Sequence, residues 1–127
     1  MPWSIKHRPE LRIVEATFAG RICADSLLEA MMQTVNECLN HKTMMCLADC
    51  ATLDAGHGAA AVEKMADLLA KTAPGGFRKA IVLPSHPKAR EAVQLWETTF
   101  VARGLTVRSF ADRGPALTWL RDPAIAR

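Results

Sequence analysis

The sequence predicts an α/β fold built on a mainly parallel sheet. Three observations carry that prediction. Short apolar runs alternate along the chain with stretches whose apolar residues fall at helical spacing. Two of the runs, Met44 to Ala48 and Ala80 to Leu83, lack polar alternation, as strands covered on both faces do. Gly, Pro, Asp and Asn residues punctuate the junctions between runs.

The elements follow in order. Ser4 to Arg8 and Arg12 to Phe18 read as strands joined by Pro9-Glu10-Leu11, which is turn material, so an antiparallel hairpin opens the fold. In the second strand Val14, Ala16 and Phe18 alternate with Ile13, Glu15 and Thr17, and one face is expected to be wetter. Asp25 or Ser26 can cap a helix carrying Leu28, Met31, Met32, Val35 and Leu39, which closes at Asn40-His41-Lys42. The apolar run to Ala48 ends at Asp49, and residues 50–58 read as a loop. A second helix spans about Ala59 to Lys71, with Val62, Met65, Ala66 and Leu69 inward, and Pro74-Gly75-Gly76 stops it. Arg78-Lys79 leads into the strand ending at Leu83. Ser85-His86-Pro87 then opens a helix to about Arg103, with Pro87 in its first turn and Gly104 as its stop. Leu105 to Phe110 alternates, as an edge strand does, and Asp112 caps a last helix with Ala116, Leu117, Trp119 and Leu120. The order is β-β-α-β-α-β-α-β-α, in one domain over residues 1–127.

The 127 residues are half apolar and 23% charged, which excludes disorder and allows an unstapled core. A net charge of +3 is too weak a bias to argue for nucleic acid. The first eight residues run into Pro9, Glu10 and Arg12 rather than an apolar stretch, so no secretory signal is expected and the cytosol is the expected compartment. No apolar run reaches the length that spans a bilayer, and no stable membrane insertion is expected. None of Cys23, Cys38, Cys46 and Cys50 forms a Cys-x-x-Cys pair, and free thiols are expected. The histidines lack metal spacing, and neither metal nor cofactor is expected.

Ligands favour the carboxyl ends of parallel strands. That end gathers Asp49, Cys50, Asp54, Ala55, Gly56, His57 and Gly58 from one strand and Ser85 and His86 from the next. Gly56-His57-Gly58 immediately precedes a helix, whose free amides can hold an anion, although the glycines equally suit a tight turn. The Walker and dinucleotide glycine patterns are both absent. Cys50, His57 and Asp49 could be arranged as nucleophile, base and orienter, but no family signature surrounds Cys50, and the protein is expected not to be an enzyme. Met31, Met32, Met44, Met45 and Met65 fill a core or line an apolar site. Trp96 and Trp119 read as core anchors, and Trp3 as an edge or dimer contact.

Several stretches resemble the SpoIIAA-like, STAS/SEC14-type domains, which include anti-sigma-factor antagonists and are related to CRAL-TRIO lipid carriers. They are Phe18 to Ile22, Met44 to Asp49 with Leu53, Lys79 to Pro84, Ala102 to Asp112, Ala116-Leu117 and Trp119-Leu120. The resemblance implies a β/α superhelix: a mainly parallel five-stranded sheet, an antiparallel N-terminal strand and four helices. It also implies a loop in which antagonists carry a phosphorylated Ser. Here Asp54-Ala55-Gly56-His57 stands at that place with no hydroxyl, and Thr52 stands too early. The expectation is a non-enzymatic module binding a protein partner, or itself as a homodimer, through the 50–58 loop and the helix after it. The alternative is a carrier of a small apolar, lipid-like or anionic ligand.

Overall fold

The computed structural model describes residues 3–54 and 59–122. The hairpin forms as predicted: β1 (Trp3–Arg8) pairs antiparallel with β2 (Ile13–Gly20). The chain then continues through α1 (Ala24–Asn40), β3 (Met45–Leu53), α2 (Ala59–Thr72), β4 (Arg78–Val82), α3 (Pro87–Ala102), β5 (Thr106–Phe110) and α4 (Arg113–Leu120). The sheet order is β1-β2-β3-β4-β5, with every pairing after the first parallel. Each crossover advances one strand in the same direction, so α1, α2 and α3 lie on one face. Among the described residues α4 is the last element, and it folds onto the other face, against β3, β4 and β5.

The larger core lies between the sheet and the first three helices. Val14, Ala16 and Phe18 of β2, Cys46, Ala48 and Cys50 of β3 and Ile81 of β4 meet Leu27, Met31, Met65, Leu69, Val93, Trp96 and Phe100 of the helices. Trp96 is completely buried and meets Phe18 edge-on, with ring centroids 6.2 Å apart. Trp3 is buried in the same core. Lys79, expected before the strand, stands within β4 and is buried, its Nζ 5.1 Å from the centre of the Phe100 ring. The smaller core sets Ile13, Leu47, Ala80 and Val82 against Ala116 and Leu120, with Trp119 partly buried beside them.

The second core corrects the expectation of a wet face on β2. Ile13 is fully buried and Glu15 nearly so. The Glu15 carboxylate accepts hydrogen bonds from Arg8 Nε at 3.3 Å and Arg113 Nη1 at 2.7 Å. Alternation along β2 marks Glu15 as polar, but burial there follows from where α4 lands, 98 residues further along the chain. Helix starts are also adjusted. The α1 cap is Cys23 rather than Asp25 or Ser26, and neither Cys23 nor Asp112 makes a side-chain capping bond.

Among the described residues, two other than glycine adopt left-handed backbone: Arg12 (φ 58°), beside the β1–β2 turn, and Lys42 (φ 53°), between α1 and β3. Each position costs on the order of 1 kcal/mol for a residue with a Cβ. Gly104 ends α3 at φ 83°, as its position predicts, while the Leu105 amide reaches back to the Phe100 carbonyl at 3.1 Å.

Candidate functional site

At the carboxyl end of the parallel strands, β3 runs further than its composition suggests. It continues to Leu53, so Cys50 to Leu53 are strand and not loop. β4 stops at Val82, opposite Asp49, whereas β2 and β3 go on pairing to Gly20 and Leu53 after a register shift between Thr17 and Ala19. A two-stranded ribbon therefore projects past the rest of the sheet. The Asp54 amide donates to the Gly20 carbonyl at 3.0 Å and closes its tip. Backbone pairing across this bulge, rather than side-chain propensity, keeps Ala51 and Thr52 extended.

Asp49 is half-buried, and its Oδ1 accepts the Ala51 amide at 3.1 Å. Its carboxylate thus serves the backbone just beyond the last β3–β4 pair. Cys50 points the other way, into the main core, with no exposure. Desolvation pushes its thiol up to about 12. Placement among the contact residues is corrected for Cys50: alternation along β3 turns it inward with Cys46 and Ala48, where neither a partner nor a substrate reaches it. A neutral buried thiol is also a poor nucleophile.

Asp54, Ser85 and His86 are exposed. The Ser85 amide lies 3.5 Å from the Ala51 carbonyl, which ties the β4–α3 turn to the side of the ribbon. His86 is the N-cap of α3 through its backbone, its carbonyl accepting the Arg90 amide at 2.8 Å, with Pro87 in the first turn as predicted. Ala55, Gly56, His57 and Gly58 lie outside the described residues. The rim thus brings together Asp54, Ser85 and His86 with the amino-terminal ends of α1, α2 and α3. Each helix end presents free amides and the positive end of its dipole.

Cys23 joins this rim without having been singled out by sequence. It is the exposed thiol, donating to Ser26 Oγ at 3.3 Å, and its pKa is lowered chiefly by that side-chain contact. No local signal set it apart: apolar Ile22 and Ala24 flank Cys23, while the charged Asp49 stands beside the buried Cys50. Among the described residues no group of His, Cys, Asp and Glu is placed to hold a metal ion. No helix among them is long and apolar enough to cross a membrane.

The sequence matches no protein-family model, and no curated protein matches it. A solved structure does. The crystal structure of an anti-sigma factor antagonist from Mycobacterium paratuberculosis superposes with a TM-score of 0.62, covering 94% of this chain and 93% of its own, at 16% identity. The chain has the anti-sigma factor antagonist fold. The STAS-like resemblance noted in the sequence therefore holds at the level of architecture, including the antiparallel first strand and four helices. Of the stretches that carried the resemblance, Phe18, Cys46, Leu47, Ala48, Leu53, Ala80, Ile81, Val82, Val107, Ala116 and Leu120 belong to the cores, whereas Ala102 to Asp112 is exposed or partly exposed apart from Val107.

Proposed function

We propose that this protein is a non-enzymatic interaction module of the STAS type, acting in the cytosol. It docks a protein partner, or a second copy of itself, through the sequence segment 50–58 and the helix after it, with Asp54, Ser85 and His86 as the exposed contacts among the described residues. The observation that carries the reading is the end-to-end match to an antagonist fold, together with exposed polar residues on the strand ends of that fold. The chemistry of the rim supports recognition over turnover. Cys50 is buried and protonated, and Asp49 is engaged by a backbone amide. The proposed module works without a phosphorylated serine, because Ala55 and Gly56 provide no oxygen for a phosphate ester.

Sedimentation velocity and cross-linking pull-down, comparing the wild type with Asp54→Ala, His57→Ala and His86→Ala, test this. The expected result is a specific complex or a dimer that the rim variants weaken about tenfold or more. Association unchanged in all three variants would remove the proposed site. A lipid recurring in native mass spectra of the gently extracted protein would favour the carrier reading instead. Against that reading, Met31 and Met65, two of the residues that suggested an apolar lining, are fully packed in the core.

A further inference from the structure

The opposite pole of the sheet carries a second feature, independent of the rim. A surface depression of about 490 Å³ lies at the amino-terminal ends of the parallel strands, lined by residues including His7, Arg12, His41, Lys42, Met44 and Arg78. Its volume falls within the range of small-molecule sites. Among the described residues, those lining it include three permanent cations and two imidazoles and no carboxylate. Glu37, one helical turn before His41, is engaged by His41 Nε2 at 3.1 Å.

Three further observations make this a built site rather than a chance cluster. First, the two left-handed residues other than glycine among the described residues are both here, and both are cations: Arg12 and Lys42. Glycine or asparagine would fit that backbone with less strain, so long basic side chains at two such positions in one depression call for a use. Second, the walls are tied together. Thr43 Oγ1 donates to the Arg12 carbonyl and accepts the Met45 amide at 3.3 Å, and the Arg78 amide donates to the Met44 carbonyl at 2.8 Å. The rings of His7 and His41 stack with centroids 3.7 Å apart and planes 12° from parallel. Third, Arg78 is not saturated. Its Nη1 donates to the Asp122 carbonyl at 3.2 Å, while its buried Nε has no hydrogen-bond partner among the described residues.

We propose that this depression binds a small phosphorylated metabolite of nucleoside-monophosphate size, with the phosphate held by Arg12, Lys42 and Arg78. The organic part lies against the His7–His41 stack and Met44, which is 43% exposed. Arginine and lysine supply charge-assisted donors to phosphate oxygens, and imidazole and thioether surfaces suit a flat heterocycle.

The test is amide NMR and calorimetry on the full chain with adenosine monophosphate, inorganic phosphate and adenosine, and with phosphatidic acid vesicles in a separate arm. Adenosine monophosphate is expected to shift the amides of residues 7, 8, 10–12, 41–45 and 78. Inorganic phosphate should bind about tenfold more weakly, and adenosine not measurably. Lys42→Asn should melt no lower than wild type, because asparagine tolerates the left-handed backbone, yet bind adenosine monophosphate at least about tenfold more weakly. Arg78→Gln should weaken it similarly, and Asp54→Ala, at the other pole, should leave it unchanged. The proposal is overturned if adenosine monophosphate at about 10 mM shifts none of these amides. Unaltered binding by a folded Lys42→Asn, or binding to the vesicles alone, would overturn it as well.

Discussion

Three thiols in this protein are chemically silent for one reason and a fourth is exposed for another. Cys38, Cys46 and Cys50 are buried, and desolvation is the largest influence on each, raising them to about 12, 11 and 12. Cys23 sits at a helix start in water. A native-state thiol assay is therefore expected to show one rapid group of four, with the other three appearing only on unfolding. The same burial fixes the pH response. In the unfolded chain these thiols lose protons from about pH 8.5 upward, whereas in the folded chain they keep them until pH 11–12. Above about pH 8.5 the unfolded state thus binds fewer protons, and stability falls as pH rises, by up to about 1.4 kcal/mol per pH unit for each thiol. Urea midpoints at pH 8 and pH 10.5 check this, and Cys38→Ala/Cys46→Ala should flatten the slope. The burial of Cys38 and Cys46 was legible from their apolar neighbours. That of Cys50 was not, because its face depends on β3 continuing past Asp49.

At the scale of the element, the decisive case is β2 with α4. Glu15 is a buried carboxylate compensated by two arginines that remain partly in water, Arg8 from the neighbouring strand and Arg113 from the last helix. Removing both leaves a desolvated charge without a partner. Arg8→Ala/Arg113→Ala is expected to lower unfolding free energy by about 3 kcal/mol, whereas Glu15→Met, which removes the charge itself, should cost much less. Equilibrium denaturation of the two variants decides between this account and a surface ion pair, for which the double variant would lose under about 1 kcal/mol. Helix existence and most helix ends were readable, since apolar spacing, Pro87 and Gly104 are local signals. The face that α4 takes was not readable, because an eight-residue helix packs by its few apolar contacts and not by its pattern. The projecting β2–β3 ribbon was likewise hidden, since its pairing joins Gly20 to Leu53 across a bulge.

At the scale of the molecule, both cores share one sheet, and every strand contributes to at least one of them. Among the described residues no segment has a core apart from this sheet, so unfolding is expected to be a single cooperative transition. The three tryptophans report on distant places: Trp3 in β1 and Trp96 in α3 on one face, and Trp119 in α4 on the other. Tryptophan fluorescence and far-ultraviolet circular dichroism should therefore give coincident urea curves. An earlier fluorescence transition would show α4 detaching before the sheet melts.

The alternation of apolar runs and helical spacings, together with the turn residues between them, determined the element order and the antiparallel start, because each is encoded within a few neighbouring residues, and the family resemblance implied the antagonist-like architecture. Tertiary structure alone decided which residues are reachable and which are charged neighbours. Cys50 went inward, Glu15 acquired arginines from both ends of the chain, and five basic or imidazole side chains from three separate segments met in one depression. The physical reason is distance along the chain: burial and electrostatics act through space, and partners such as Glu15 and Arg113 lie 98 residues apart.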